Sequence, residues 1–241
     1  MHDTANETNE FLKHAIWYAR LGWHIFPVRP GAKRPLTPTG FHAATRDETQ
    51  IIAWWKQWPD ANIGVATDAS GITVYDVDVG LGKQGATAHA QIAAKLPLTL
   101  MARTRSGGLH YYYTAPPGAA LRKTGIRPQG VTVVGETNLD LIAKGYVLAP
   151  PSIVEGGAYE WINADADIAA LPQLLADAAL APSEPREQGA SPDGAILTGN
   201  RNNALYTLAC RMRNAGMSQA DLTAALFAIN NERVSPPLPR D

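Results

Sequence analysis

Cysteine is nearly missing from this 241-residue chain: Cys210 stands alone. That excludes an internal disulfide and any zinc site built on cysteines. Long apolar runs are missing too, since no stretch approaches the ~20 residues that a membrane-spanning helix needs. The opening MHDTANETNE is polar and acidic, unlike a secretory or transit peptide. A cytoplasmic protein is the default expectation. Net charge is −1, which by itself argues against a strong binder of polyanions. At this length the chain holds one large domain, or one domain and a small module.

The distribution of charge says more than its sum. Between Glu10 and Asp47 every charged residue is basic: Lys13, Arg20, Arg29, Lys33, Arg34 and Arg46. The same holds between Asp78 and Glu136, with Lys83, Lys95, Arg103, Arg105, Arg122, Lys123 and Arg127. Such segregation can give a neutral protein one basic face suited to phosphates, although scattered solvated charge would look the same in a sequence.

Residues 8–20 carry Phe11, Leu12, Ala15, Ile16 and Ala19 at helical spacing. GWHIFPV (22–28) reads as a strand closed by the turn RPGAKRPL. Asp47 caps a second helix with an apolar face of Ile51, Ile52, Trp54 and Trp55, ended by Pro59. ANIGVAT and GITVYDVDV are β-rich runs joined by DASG, which predicts a hairpin. A helix over 84–95 follows, then strands TLMARTRS and LHYYYTA hinged on Gly107-Gly108. VTVVGET, NLDLIAK and GYVLAPP read as strands, and SIVEGGAYEWI as a hairpin. Many strands, few helices and short connections predict an α+β fold. The expected organisation is a main domain over 1–178, a Pro/Ser/Gly-rich linker over 179–194 and a helical module over 195–241. That module has helices at 200–214 and 218–231, the second capped by Ser218. The tryptophans Trp17, Trp23, Trp54, Trp55 and Trp58 read as core, with base stacking as the alternative.

GITVYDVDV carries the most chemistry. A strand's period of two puts Ile72, Val74, Asp76 and Asp78 on one face. Two carboxylates side by side at the end of an apolar strand repel each other and lose hydration, a cost that a divalent cation reverses. Hard carboxylate oxygens suit Mg²⁺ or Mn²⁺, ions that also recruit triphosphate oxygens. The competing reading is a strand end turning into solvent at Gly80. In RTRSGGLHYYY, Gly107 and Gly108 allow close backbone approach, Ser106 offers a hydroxyl and His110 begins a strand. Flanked by Arg103 and Arg105, this turn suits phosphate. In NLDLIAKGYVLAPPS, Asp140 is a candidate third metal ligand. Lys33-Arg34 is a candidate phosphate contact, or an ordinary solvated turn.

Together these segments resemble the bifunctional primase–polymerase domain of the archaeo-eukaryotic primase superfamily, common in plasmids and phages. The resemblance runs in order through about 10–165, from GWHIFPVRPGAKRPL through three motifs. A D-x-D or D-x-E motif matches YDVDV. An S-G-G-x-H motif matches Ser106-Gly107-Gly108-Leu109-His110. A strand aspartate before G-Y-v-v-a-P-P-S matches Asp140 and GYVLAPPS. The resemblance implies an RRM-like catalytic sheet joined to an αβ subdomain, with the active site in the cleft between them. It implies that Asp76, Asp78 and Asp140 ligate two Mg²⁺ or Mn²⁺ ions, and that His110 and Ser106 bind the triphosphate, as in primer synthesis or DNA extension on a single-stranded template from dNTPs or NTPs. Lys33 and Lys144 are weaker candidates for phosphate contacts. One departure is Ile142, where the family often has a basic residue two positions after the third-motif aspartate.

The tail, GNRNNALYTLACRMRNAGMSQADLTAALFAINNERVSPPL, resembles the small helical module that follows such domains in plasmid and phage primase–helicases. No G-x-x-x-x-G-K-[ST] loop is present, so a helicase partner would lie beyond residue 241 or on another protein. Two other readings stay open from the residues alone: a non-catalytic nucleic-acid-binding replication module, and a metal-dependent nuclease using the same acidic residues.

Overall fold

The computed structural model describes residues 9–116, 118, 121, 123–180, 196–197, 205–206, 208–209, 212–213, 215–235 and 237–238. The linker expected over 179–194 lies outside these but for its first two residues, as does Arg122. Of the helix expected over 200–214, residues 205–206, 208–209 and 212–213 are described and helical. The chain divides into two compact units, Met1–Ala181 and Pro182–Asp241.

The first unit opens with α1 (Glu10–Arg20), capped by Asn9, whose side chain accepts from the Leu12 amide. Its buried stripe is Leu12, Ala15, Tyr18 and Ala19. Asp47 caps α2 (Glu48–Gln57) in the same way, accepting from Thr49, and Arg20 on α1 grips Glu48 through both carboxylate oxygens at 2.8 and 3.0 Å. These helices cover a three-stranded antiparallel sheet of β1 (His24–Val28), β2 (Asn62–Ala66) and a late strand, Tyr146–Ala149, in the order β1-β2-β8.

The larger sheet holds, among the described residues, seven strands. They are β3 (Ile72–Val77), β4 (Met101–Arg103), β5 (Leu109–Thr114), β6 (Lys123–Gly125), β7 (Leu139–Ile142), β11 (Glu160–Trp161) and β12 (Ala169–Ala170). Their order is β11-β4-β5-β3-β7-β6, with β12 pairing β5. Between β8 (Tyr146–Ala149) and β11, a small hairpin joins β9 (Ile153–Val154) to β10 (Gly157–Ala158). The expected hairpin of ANIGVAT with GITVYDVDV does not form. Its two runs are β2 and β3, which belong to different sheets: β2 pairs β1 and β8, while β3 pairs β5 and β7. The DASG turn closes locally, through Ile72 N–H to Thr67 O at 3.0 Å, but its flanking strands diverge. VTVVGET is not a strand; the edge position beside β7 goes to Lys123-Thr124-Gly125. The helix expected over 84–95 is shorter, an α-helical α3 (Gly85–Ala90) and a 3₁₀ turn at Ala93–Lys95.

Two cores follow from the two faces of β3. Ile72 and Val74 pack with Tyr112, Ala102 and Ile142, and with Ile63, Val65, Trp23 and Trp55 from the small sheet and its helices. On the other face Tyr75, Val77, Tyr111, Tyr113, Leu139 and Leu141 pack with Ala88 and Ile92 and with Leu175 on α4 (Gln173–Leu180). The tryptophans divide accordingly. Trp23 and Trp55 are buried, Trp54 and Trp58 pack partly buried, and Trp17 is exposed.

In the second unit, Ser218 caps α5 (Gln219–Arg233), its hydroxyl accepting from the Asp221 amide. The Asn230 side chain brackets the backbone of Leu238, donating to its carbonyl at 3.0 Å and accepting from its N–H at 2.9 Å. The spacing of the N…PPL segment thus has a physical role: an amide eight residues upstream folds the tail back. A two-residue strand, Ile196–Leu197, pairs in parallel with Val234–Ser235.

Candidate active site

Strand register places the acidic residues before any side-chain contact is considered. Asp76 on β3 pairs with His110 on β5 and with Asp140 on β7. Asp140 in turn pairs with Gly125, and His110 with Ala102. Directly opposed residues share a face, so His110, Asp76 and Asp140 form one row across three neighbouring strands, each about 4.8 Å from the next. The row lies on the face whose continuation, Val74, Tyr112 and Ile142, is the core between the sheets. Asp78 lies just past the end of β3, its amide bonded to Asn138 O at 3.0 Å.

Burial without enough countercharge defines the electrostatics. The Asp76 carboxyl is pushed up to about 7 by burial first, then by the charges of Asp78 and Asp140; Lys33 and Lys123 oppose this. His110 is pushed down to about 3, by burial first and then by Lys33. Its imidazole is therefore neutral. The 3.6 Å separation of His110 Nε2 from Asp76 Oδ1 is consequently not an ion pair, and it is too long for an ordinary hydrogen bond. His110 Nδ1 is buried without a partner among the described residues. Asp78 is turned to Lys83, with Nζ 3.1 Å from Oδ1 and both side chains about 40% exposed. Among the described residues, no three His, Cys, Asp or Glu side chains are already gathered into a metal-holding set. The donor chemistry nevertheless fits a hard divalent cation. Two carboxylates oppose each other across the ladder and a third follows just past the strand end, where the protein's own cations leave Asp76 poorly ionised.

Local structure holds this arrangement firmly. Asn138, at φ 52°, takes the left-handed conformation that asparagine tolerates best among non-glycine residues. Its carbonyl accepts from Asp78, its side-chain oxygen accepts from Gln84 N–H at 2.9 Å, and Asp140 follows two residues later. One residue thus ties the second carboxylate to the third. Gly85 lies against the same loop, where a Cβ would fall 1.9 Å from the Asp78 carbonyl oxygen. Behind the row, His89 on α3 bridges the hydroxyls of Tyr75 and Tyr111 at 3.2 and 2.8 Å.

The remaining expected residues divide. Ser106, Gly107 and Gly108 form the tight β4–β5 turn, with Thr104 N–H donating to Gly108 O at 2.8 Å and Gly107 at φ 83°. A Cβ on Gly108 would lie 2.5 Å from Val77 O, so only glycine lets this turn approach β3 so closely. Arg105 docks the turn onto Glu155, with Nη2 2.8 Å from Oε2. Lys33 comes from the loop after β1, and its charge acts on both Asp76 and His110. Arg103 pairs with Leu109, one register step from the Ala102–His110 pair, and so points to the opposite face of the sheet. Lys144 lies in the bend between β7 and β8, two residues past the end of β7, where Gly145 O accepts from Thr67. Neither Arg103 nor Lys144 is brought to the row. Ile142 is buried in the core between the sheets.

Three contributors escaped the sequence reading. Lys123 pairs with Ile142 from the edge strand β6, and its charge is felt by Asp76; nothing local marks KTG as a strand. Lys83 sits in the loop after the carboxylate pair, where its proximity could have been read. Asn138 carried the one available signal, an asparagine in a short turn before a strand.

The family model for bifunctional DNA primase/polymerase, N-terminal, matches residues 15–174. This chain belongs to that family. A second model, Primase C terminal 1, matches residues 191–241. The α+β architecture with antiparallel sheets and a C-terminal helix is that of a primase–polymerase. The two matches place the protein in DNA replication as a primase/polymerase, with DNA and nucleotides as its substrates. No curated protein matches the chain. No helix among the described residues is long and apolar enough to cross a membrane.

Proposed function

We propose that this primase/polymerase performs DNA-templated nucleotidyl transfer, making primers or extending strands, with Asp76, Asp78 and Asp140 as ligands for two Mg²⁺ or Mn²⁺ ions. The observation that carries the reading is the cross-strand row in which half-buried Asp76 is held next to Asp140 and near Asp78, with too little positive charge to ionise it fully. When bound, such ions neutralise triphosphate charge and acidify an attacking hydroxyl. The chain's own residues do the rest. Lys33, in the loop after β1, carries a positive charge that acts on Asp76 and His110, which supports its reading as a phosphate contact. The Ser106-Gly107-Gly108 turn offers a hydroxyl and close backbone, pinned by the Arg105–Glu155 pair. His110, neutral and buried, is suited to a hydrogen bond and not to a charge. The setting this reading proposes is plasmid, phage or mobile-element replication, with a helicase further along a longer chain or acting in trans.

The test uses primed and unprimed single-stranded DNA, labelled dNTPs or NTPs, and Mg²⁺ or Mn²⁺. Wild-type extension that disappears in Asp76→Ala and Asp140→Ala is expected. DNA degradation without incorporation would replace this reading with a nuclease, and binding with neither product would leave a non-catalytic module.

A further inference from the structure

The loop that carries Lys33 has a second charged feature on its outer side. The bridge between Val28 and Pro35 sets an antiparallel register that puts Arg29 opposite Arg34, and Arg29 N–H donates to Arg34 O at 2.8 Å. Opposed residues of this kind project side by side, with Cβ atoms about 4.5–5.5 Å apart, and like charges so placed destabilise the pairing. Both arginines are exposed, and among the described residues neither guanidinium has an ion pair.

The loop cannot relax away from this repulsion. Asn62 Nδ2 donates to Arg29 O and Ala32 O, each at 3.4 Å, Tyr146 Oη donates to Lys33 O at 2.7 Å, and Leu36 N–H donates to Pro27 O at 3.0 Å. Glu155 N–H reaches Gly31 O at 3.3 Å. The backbones of two arginines are therefore held side by side along an open groove of about 420 Å³, lined also by Pro35, Thr37, Pro38 and Gly40. An anion relieves the repulsion, and planar guanidinium groups suit phosphate oxygens. No aromatic side chain lines the groove, so it offers a base nothing to stack on.

Lys33, whose charge acts on Asp76 and His110, lies between Arg29 and Arg34 in the same loop, so the arginine pair stands within one short loop of the row. We propose that the Arg29–Arg34 groove seats the sugar–phosphate backbone of the DNA strand at the active site, independently of base sequence, each arginine taking one phosphate. The identity of the ligand rests on the DNA-templated reading above.

The experiment is a salt titration of full-chain binding to a labelled oligothymidylate, in chelator and without nucleotide. Arg29→Ala/Arg34→Ala is expected to lower the slope of log affinity against log salt by about 1.4, for two phosphates on a single strand. Affinity at low salt should fall tenfold or more. Arg29→Lys/Arg34→Lys is expected to keep the slope; in both variants the KM for dNTP on saturating DNA should hold and the thermal midpoint should not fall, rising slightly in the alanine variant as the like-charge pair is lost. An unchanged slope in the alanine variant overturns the proposal. So does a raised KM for dNTP with DNA affinity intact, which would assign the groove to the nucleotide. Because binding is read without catalysis, an arginine-dependent slope in a chain that never extends DNA sustains the groove and sinks the polymerase reading. Extension without any arginine dependence does the reverse.

Discussion

Asp76 stands directly across the β3–β7 ladder from Asp140, so backbone pairing and not rotamer choice keeps the two carboxylates adjacent. The charge conflict is built into the sheet, and its consequences are measurable in the metal-free protein.

Desolvation first, and then the charges of Asp78 and Asp140, push the Asp76 carboxyl up from its ordinary 3.8 to about 7. A raised pKa means the folded state keeps a proton that the unfolded chain releases. The stability linked to that proton is full below about pH 3.8 and is lost as pH rises to about 7. Asp76→Asn removes the dependence. In chelator the variant should match wild type near pH 4 and exceed it by about 1–3 kcal/mol at pH 7.5, read by urea denaturation. His110, with its pKa pushed down, destabilises as pH falls from about 6.5 toward 3; this acts in both proteins and largely cancels in the comparison.

Lys83 occupies Asp78 at 3.1 Å in an ion pair that is well exposed. Exposed pairs contribute only about 0–1 kcal/mol, so the lysine competes weakly for the carboxylate. Lys83→Ala should tighten Mn²⁺ binding two- to fivefold in isothermal titration and leave the unfolding midpoint within error. Weaker Mn²⁺ binding would show instead that Lys83 supports the site.

Asn138 combines a left-handed backbone with a side-chain bond to Gln84. Asn138→Gly keeps the backbone and loses the bond, whereas Asn138→Ala loses both. Stability should fall by about 1 kcal/mol in the first and about 2 kcal/mol in the second. Metal affinity should drop further in the alanine variant, since Asp78 hangs from the Asn138 carbonyl. Equal losses in the two variants would remove backbone strain from the account.

Gly85→Ala drives a methyl group into the Asp78 carbonyl. The loop must move, at a cost of about 1–3 kcal/mol. Extension activity should fall by much more than the residual stability explains, because the carboxylate moves with its backbone. An active Gly85→Ala protein would show that Asp78 is not needed where it stands.

Much of this was legible in the chain. Alternation along GITVYDVDV placed Asp76 on the face of Val74, and the caps Asn9, Asp47 and Ser218 mark helix starts, although only the last two stood out. The failures share one cause: local patterns do not name their partners. A turn such as DASG closes in the same way whether its arms zip together or part into two sheets, and here β2 and β3 part to separate partners, β2 to β1 and β8 and β3 to β5 and β7. VTVVGET has strand composition, yet KTG holds the ladder position, because an edge strand is chosen by its neighbour β7 and not by its own residues. Arg103 flanks the glycine turn in sequence, and a single register step sets it on the face opposite His110.

Asp76 and Asp140 are 64 positions apart in the chain, and no local segment can bring them together. Pairings of such long range form late and slowly, after the entropy of loop closure has been met. A nascent or partly unfolded chain whose β7 has not docked therefore lacks the Asp76–Asp140 pair. Any cation that binds only the complete row draws the folding equilibrium toward the docked strand, acting as a latch on the last-formed part of the sheet.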